Sequence, residues 1–170
     1  MFIPLTGYQW VRKIIEDHID LGLSIGFQPD RKDLKLMRNI LFTCVHNSGR
    51  SKMAEAIFNK MAHGGIRAQS AGTEPGNEVN RSVVKVMSEL GLDLSQSLPK
   101  CLTPDMLDAA DLVITMGCNI EEACPAAFIS ARDWPLDDPK GQSLDKVRSI
   151  RDEIFSRIEA LVAELNVRSS

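Results

Sequence analysis

The stretch Ile40-Leu41-Phe42-Thr43-Cys44-Val45-His46-Asn47-Ser48-Gly49-Arg50-Ser51 decides how the chain is read. Asn39 to Cys44 is a compact apolar run of strand length. Arg50 to Ala62 carries Met53, Ala56, Ile57 and Met61 at helical spacing. A cysteine, five residues, an arginine and a serine therefore stand at a strand-to-helix junction. Such a loop aims several backbone N–H groups at one spot, and the helix dipole adds positive potential there. Gly49 is expected to supply backbone angles that other residues resist. Arg50 can grip a tetrahedral oxyanion with two parallel hydrogen bonds. Cys44, at the mouth of the cradle, is expected to react as a thiolate, because the loop stabilises an anion. Asn47 and Ser51 can donate to its sulfur or brace the loop. His46, Asn47, Ser48, Gly49, Arg50 and Ser51 form the candidate oxyanion-binding set, with Cys44 as nucleophile.

Strands and helices alternate beyond this loop. Gly64-Gly65 stop the first helix, and Ile66 to Ser70 reads as a second strand. Glu78 to Leu90 is a helix with Val79, Val83, Val86 and Met87 inward. Thr103-Pro104 opens a short helix, Thr as cap and Pro in the first turn. Leu112 to Met116 is a buried strand, and a weaker one is expected at Ala127 to Ser130. Ser143 caps a last helix over Leu144 to Leu165. The strands are apolar throughout, which predicts a parallel sheet covered on both faces. Ligands in such folds bind beyond the C-terminal strand ends. Cys44, Met116 to Cys118 and the 133–141 loop all follow strands, so they are expected to converge there.

Residues 1–38 read differently. Trp10, Val11, Ile14, Ile15 and Ile19 share helical spacing, so Tyr8 to Leu21 is expected to be an amphipathic helix forming an N-terminal extension. Its apolar face needs cover, either on its own domain or on a partner copy in a homodimer. Six basic and five acidic residues in this segment give it no nucleic-acid-binding character.

Hydrophobic residues make up 44% and charged residues 25% of the chain, as in an ordinary globular protein. The formal net charge of -3 gives no global basis for nucleic-acid binding. No apolar run is long enough to span a membrane. The N-terminus shows no signal-peptide pattern, so a cytoplasmic location with reduced thiols is expected. Cys44, Cys101, Cys118 and Cys124 are not spaced as zinc ligands, and no metal or cofactor is expected.

A nucleophile attacking a phosphate-like centre needs an acid to protonate the departing oxygen. Asp137 and Asp138, in the rigid loop Trp134-Pro135-Leu136-Asp137-Asp138-Pro139, are the candidates.

The loop, followed by Met53-Ala54-Glu55, resembles the low-molecular-weight tyrosine phosphatase superfamily and, within it, the arsenate reductases. Ser70-Ala71-Gly72-Thr73, Asp111 to Met116, Cys124-Pro125, Trp134-x-Leu136-x-Asp138-Pro139 and Val147-Arg148-x-Ile150-Arg151 carry the same resemblance. It covers residues 39–165 and leaves out the first 38. It implies a three-layer α/β/α catalytic domain with a four-stranded parallel sheet over 39–170, and it selects Asp138, the aspartate before proline, as the acid. It also implies a thiol relay in thioredoxin-coupled reductases. Cys44 attacks arsenate, Cys118 attacks Cys44, and Cys124 attacks Cys118; thioredoxin or a similar thiol reductant restores the pair. Better-known members carry the first cysteine of the pair where this chain has Gly117. As one rigid helix the segment would hold Cys118 and Cys124 about 9 Å apart, too far for a disulfide, so it must loop or unwind. Cys101 reads as structural.

The alternatives are a tyrosine phosphatase or other phosphomonoesterase, and a binding module that senses an oxyanion. Members that hydrolyse phosphotyrosine wall their cleft with aromatics, whereas Pro139 is followed here by Lys140-Gly141. Some relatives bind potassium beside the loop. Asn47, Glu55 and Ser70 match those positions, but Lys100 stands where a further carboxylate is expected, so the lysine charge is expected to replace the ion.

Overall fold

The strand that opens the deciding stretch, β1 (Asn39–Cys44), lies inside the sheet rather than at its edge. Its neighbours are β2 (Arg67–Gly72) on one side and β3 (Leu112–Thr115) on the other, with β4 (Ala131–Asp133) beyond β3. Every pairing is parallel. The helices are α1 (Arg50–Met61), α2 (Arg81–Ser88), α3 (Pro104–Asp108) and α4 (Leu144–Val167). This computed structural model describes residues 39–63, 65–118 and 131–167. The expected N-terminal helix, Cys124 and the strand expected at 127–130 lie outside those residues.

Alternate residues of a strand face opposite ways, so a strand apolar at every position needs cover on both sides. All of β1 after Asn39 is buried. Ile40, Phe42 and Cys44 join one core with Ile57 and Phe58 of α1, Val86 of α2 and Ile154 of α4. Leu41 and Val113 face the other way, against Leu102 and Leu107 of α3. The result is the three-layer α/β/α arrangement that the resemblance implied.

Phe42 is the hub of the larger core. It is fully buried, with the rings of Phe58 and Trp134 each 5.9 Å from its own. Trp134 directly follows β4, so this contact anchors the start of the loop that carries Asp138. Phe42→Ala is expected to cost about 3–5 kcal/mol, from lost transfer energy plus the cavity left behind. Urea unfolding checks it.

Two boundaries differ from the periodicity. β2 runs on to Gly72, because Gly72 donates to the Lys100 carbonyl at 2.8 Å and accepts from Leu102 N–H at 2.8 Å. That extra pairing comes from a distant segment. α2 starts at Arg81, since the Asn80 side chain caps it by accepting from Ser82 N–H at 2.8 Å. Thr103 and Pro104 open α3 as expected. None of the described helices is long and apolar enough to cross a membrane.

An ion-pair cluster ties the end of α2 to α4. Glu89 accepts from Arg148 at 2.8 Å and from Arg151 at 2.9 Å, while Arg151 also donates to the Val86 carbonyl. The hydrogen bond from Arg148 leads in holding the Glu89 carboxyl down, from 4.5 to about 2. A carboxyl lowered by folding stabilises above its unfolded value, and that stability is lost as pH falls through the folded value. Glu89→Gln is therefore expected to lower the melting temperature at neutral pH. Its gap from wild type should close between about pH 4.5 and about pH 2. A gap that stays constant across that range would exclude the linkage.

Candidate active site

The register of the sheet assembles the site. Cys44 pairs with Gly72, Thr43 with Thr115, and Thr115 with Asp133. The C-terminal ends of β1, β3 and β4 therefore lie along one edge. The segments that follow these strands therefore start from the edge at which parallel sheets bind ligands.

The loop after β1 is held from outside. The carbonyls of Cys44, Val45, His46 and Ser48 accept from the N–H groups of Thr73, Glu74, Gly76 and Asn80, at 2.8 to 3.2 Å. The Gly49 carbonyl accepts from Met53 at 3.0 Å within α1. In a trans peptide the N–H points opposite the carbonyl. Drawing these carbonyls outward turns the N–H groups of residues 45, 46, 47, 49 and 50 to the other side, into the loop. Asn80, Thr103 and Ser143 cap the starts of α2, α3 and α4 with side chains. α1 has no side-chain cap, so its first N–H groups remain for an anion.

Cys44 is buried at the bottom of this ring. Its sulfur accepts from Asn47 N–H at 3.2 Å and lies 3.0 Å from the Ser51 hydroxyl. The Asn47 amide settles the direction of that second contact. Its oxygen accepts from Lys100 N–H at 2.8 Å, which fixes its nitrogen on the side of Ser51 and Ser70, 2.8 and 2.9 Å away. Ser51 Oγ thus accepts from Asn47, and its own proton is left for the sulfur. Asn47 is fully buried and adopts φ 48°, the left-handed region that Asn tolerates better than most residues.

Gly49 adopts φ -142° and ψ -95°, outside the helical and extended regions, as expected. Space also calls for a glycine: a Cβ there would stand 2.6 Å from Pro139 Cγ. The glycine lets the Asp138-Pro139 turn close onto the nucleophile loop.

Arg50 reaches across to that turn. Its guanidinium donates to the Leu136 carbonyl at 3.1 Å and to Asp138 Oδ2 at 3.1 Å. Asp138 is half exposed, and its other oxygen takes Lys140 N–H at 2.9 Å. Asp137 faces away, paired with Lys146, whose hydrogen bond lowers its carboxyl below the usual range. Geometry therefore separates the two neighbours: Asp138 meets Arg50 and Asp137 meets Lys146.

Cys118 lies on the same edge, its thiol donating to Thr43 Oγ1 at 3.2 Å, one residue before the nucleophile. Burial pushes the Cys118 thiol up, the Thr43 hydroxyl partly offsets this, and the charges of Cys44 and Arg50 act on it in opposite senses. Gly117 has φ +72°, and a Cβ there would stand 2.7 Å from Arg50 Nη1. With Arg50 in this pose, position 117 has no room for a side chain. Cys101 is exposed, with its backbone bridged to Gly72.

Beside the loop, His46, Ser48, Glu78, Asn80, Arg81 and Lys140 line a cleft of about 560 Å³, with no Phe, Tyr or Trp among the described residues that line it. Below the loop, Ser70 donates to Glu55, which also faces Lys52 at 3.3 Å and Lys100 at 3.7 Å. An alkali cation here would have to share carboxylate oxygens already held by a hydroxyl and two ammonium groups. It would also stand against both positive charges. These residues do not fit one. Sequence reasoning gave Lys52 and Thr43 no role; only the helical position of Lys52, three residues before Glu55, signalled either of them.

The sequence pattern of the low molecular weight phosphotyrosine protein phosphatase family matches residues 39–170. A glutaredoxin arsenate reductase of Synechocystis is 32% identical over 76% of this chain and 100% of its own length. A thioredoxin-dependent arsenate reductase of Corynebacterium glutamicum superposes with a TM-score of 0.66 at 35% identity, covering 78% of this chain and 63% of that one. An arginine phosphatase from Geobacillus stearothermophilus superposes with a TM-score of 0.71 at 27% identity, covering 77% and 94%.

Proposed function

This chain belongs to the low molecular weight phosphotyrosine protein phosphatase family, and from that premise we propose that it reduces arsenate to arsenite, with residues 39–170 as its catalytic domain. The Cys44 thiolate attacks arsenic inside the ring of loop N–H groups, and Arg50 grips two of the oxyanion's oxygens. Asp138 protonates the departing oxygen, which leaves as water. Cys44 then carries a sulfur-bound As(V) adduct. The Cys118 thiolate attacks the Cys44 sulfur; the S–As electron pair passes to arsenic, which departs as As(III) arsenite. Two thiols have supplied two electrons and stand as a Cys44–Cys118 disulfide. Cys124 attacks Cys118, freeing Cys44, and an external thiol reductant restores the Cys118–Cys124 pair.

The observation that supports reduction over hydrolysis is the second thiol, Cys118, hydrogen-bonded to Thr43, the residue before the nucleophile. Hydrolysis needs only water in its place. The cleft beside the loop, with no Phe, Tyr or Trp among its described lining residues, also suits a small inorganic oxyanion. A phosphomonoesterase is the second reading, because the loop and acid alone suffice for phosphoryl transfer. A pure oxyanion sensor would not need Asp138 held against Arg50.

Arsenate-dependent NADPH oxidation tests this directly. One arm supplies thioredoxin and its reductase, and the other glutathione, glutaredoxin and glutathione reductase. Aryl phosphate hydrolysis is measured beside them. Turnover in either arm supports reduction and names the class of donor. Hydrolysis with no arsenate turnover in either arm would establish the phosphatase instead.

A further inference from the structure

Six side chains run from the protein surface to the nucleophile. Lys100 enters this chain twice. Its backbone N–H donates to Asn47 Oδ1 at 2.8 Å, and its ammonium lies 3.7 Å from Glu55 Oε1. Lys52, 2% exposed, holds the other carboxylate oxygen at 3.3 Å. That oxygen also accepts from Ser70. With its proton spent on Glu55, Ser70 Oγ is free to accept from Asn47 at 2.9 Å. Asn47 donates its second amide hydrogen to Ser51 at 2.8 Å, which leaves the Ser51 proton for Cys44 Sγ at 3.0 Å.

Each donor in this sequence is set by the one before it. Glu55 sets the Ser70 proton, Ser70 and Lys100 N–H set the Asn47 amide, and Asn47 sets the Ser51 proton. A partly buried carboxylate with no cation beside it would be costly, so the order depends on a positive charge at Glu55. Two lysines bring that charge, and they leave no place for an alkali ion.

We propose that Lys100 is a positioning residue which, with Lys52, serves as the protein's own cation beneath the nucleophile loop, keeping the Ser51 proton aimed at Cys44 without bound potassium. The role rests on Cys44 as nucleophile and is independent of whether arsenate is the substrate.

The test needs no turnover. Melting temperature and the rate of phosphate-protected alkylation of Cys44 by iodoacetamide are measured in potassium, sodium and tetramethylammonium chloride at equal ionic strength. Wild type is expected to give the same values in all three salts. Lys100→Met removes one charge from a half-exposed side chain and keeps the backbone N–H. It is expected to slow Cys44 alkylation up to about fivefold, the scale of one half-exposed ion pair. Lys100→Arg should restore the rate. A potassium-specific rise in wild-type melting temperature or alkylation would overturn the proposal. So would a Lys100→Met protein that melts earlier yet alkylates at the wild-type rate when folded, since that is the mark of a merely structural lysine. Failure of the arsenate assay alone would leave these readouts untouched.

Discussion

Cys118→Ser is expected to abolish arsenite formation while leaving aryl phosphate hydrolysis unchanged. The oxyanion ring, Arg50 and Asp138 are all intact in this variant, so Cys44 still forms its adduct with either oxyanion. Serine keeps the hydrogen bond to Thr43 and nearly the same volume, so folding is expected to hold. What it removes is the electron pair. Without a sulfur beside Cys44, the arsenate adduct can only hydrolyse back to arsenate. The phosphate adduct is hydrolysed by water in any case. Arsenite counted per subunit under single-turnover conditions checks the effect, and equal arsenite from wild type and variant would remove the relay.

The same residue gives the reaction a pH signature. Burial raises the Cys118 thiol above its ordinary value, so at neutral pH most of it is protonated and the attacking thiolate is scarce. Arsenate turnover is expected to climb as pH rises toward the thiol range, provided that attack on Cys44 limits the rate. Aryl phosphate hydrolysis should lack that climb. Parallel profiles for the two activities would show that Cys118 does not attack in the slow step.

Asp138→Asn is expected to lower kcat by about 10²–10⁴-fold, the usual worth of a positioned general acid. The loss should be greatest for leaving groups that need a proton and least for a nitrophenolate, which departs without one. Binding should move in the opposite direction. In the free protein Asp138 holds Arg50 by a 3.1 Å hydrogen bond, and Leu136 takes the other arm. An incoming oxyanion competes with that carboxylate for the guanidinium. Asparagine competes less, so inorganic phosphate is expected to bind the variant more tightly while turnover collapses. Phosphate titration by calorimetry, set beside kcat, measures the split. Weaker phosphate binding would show that Asp138 supports the arginine instead of restraining it. Asp137→Asn is the contrast: its carboxylate is engaged by Lys146, so kcat should be unaffected.

The sequence by itself determined whatever depends on neighbours along the chain. Apolar runs without alternation announced a buried parallel sheet. The strand, loop and helix around Cys44 to Ser51 announced an anion cradle with a nucleophile, because both N–H convergence and helix polarity are local properties. Tertiary structure decided what depends on which distant segments meet. It set Asp138, and not Asp137, against Arg50 by a contact spanning 88 residues. It put Asn47 in the left-handed region and gave Gly49 a further purpose, room for Pro139. It placed Cys118 against Thr43 across 75 residues, and it gathered Lys52, Lys100 and Glu55 under the loop. Hydrogen-bond direction is fixed only when every partner is in place, so no periodicity or spacing could have shown that the Ser51 proton is the one left for the sulfur.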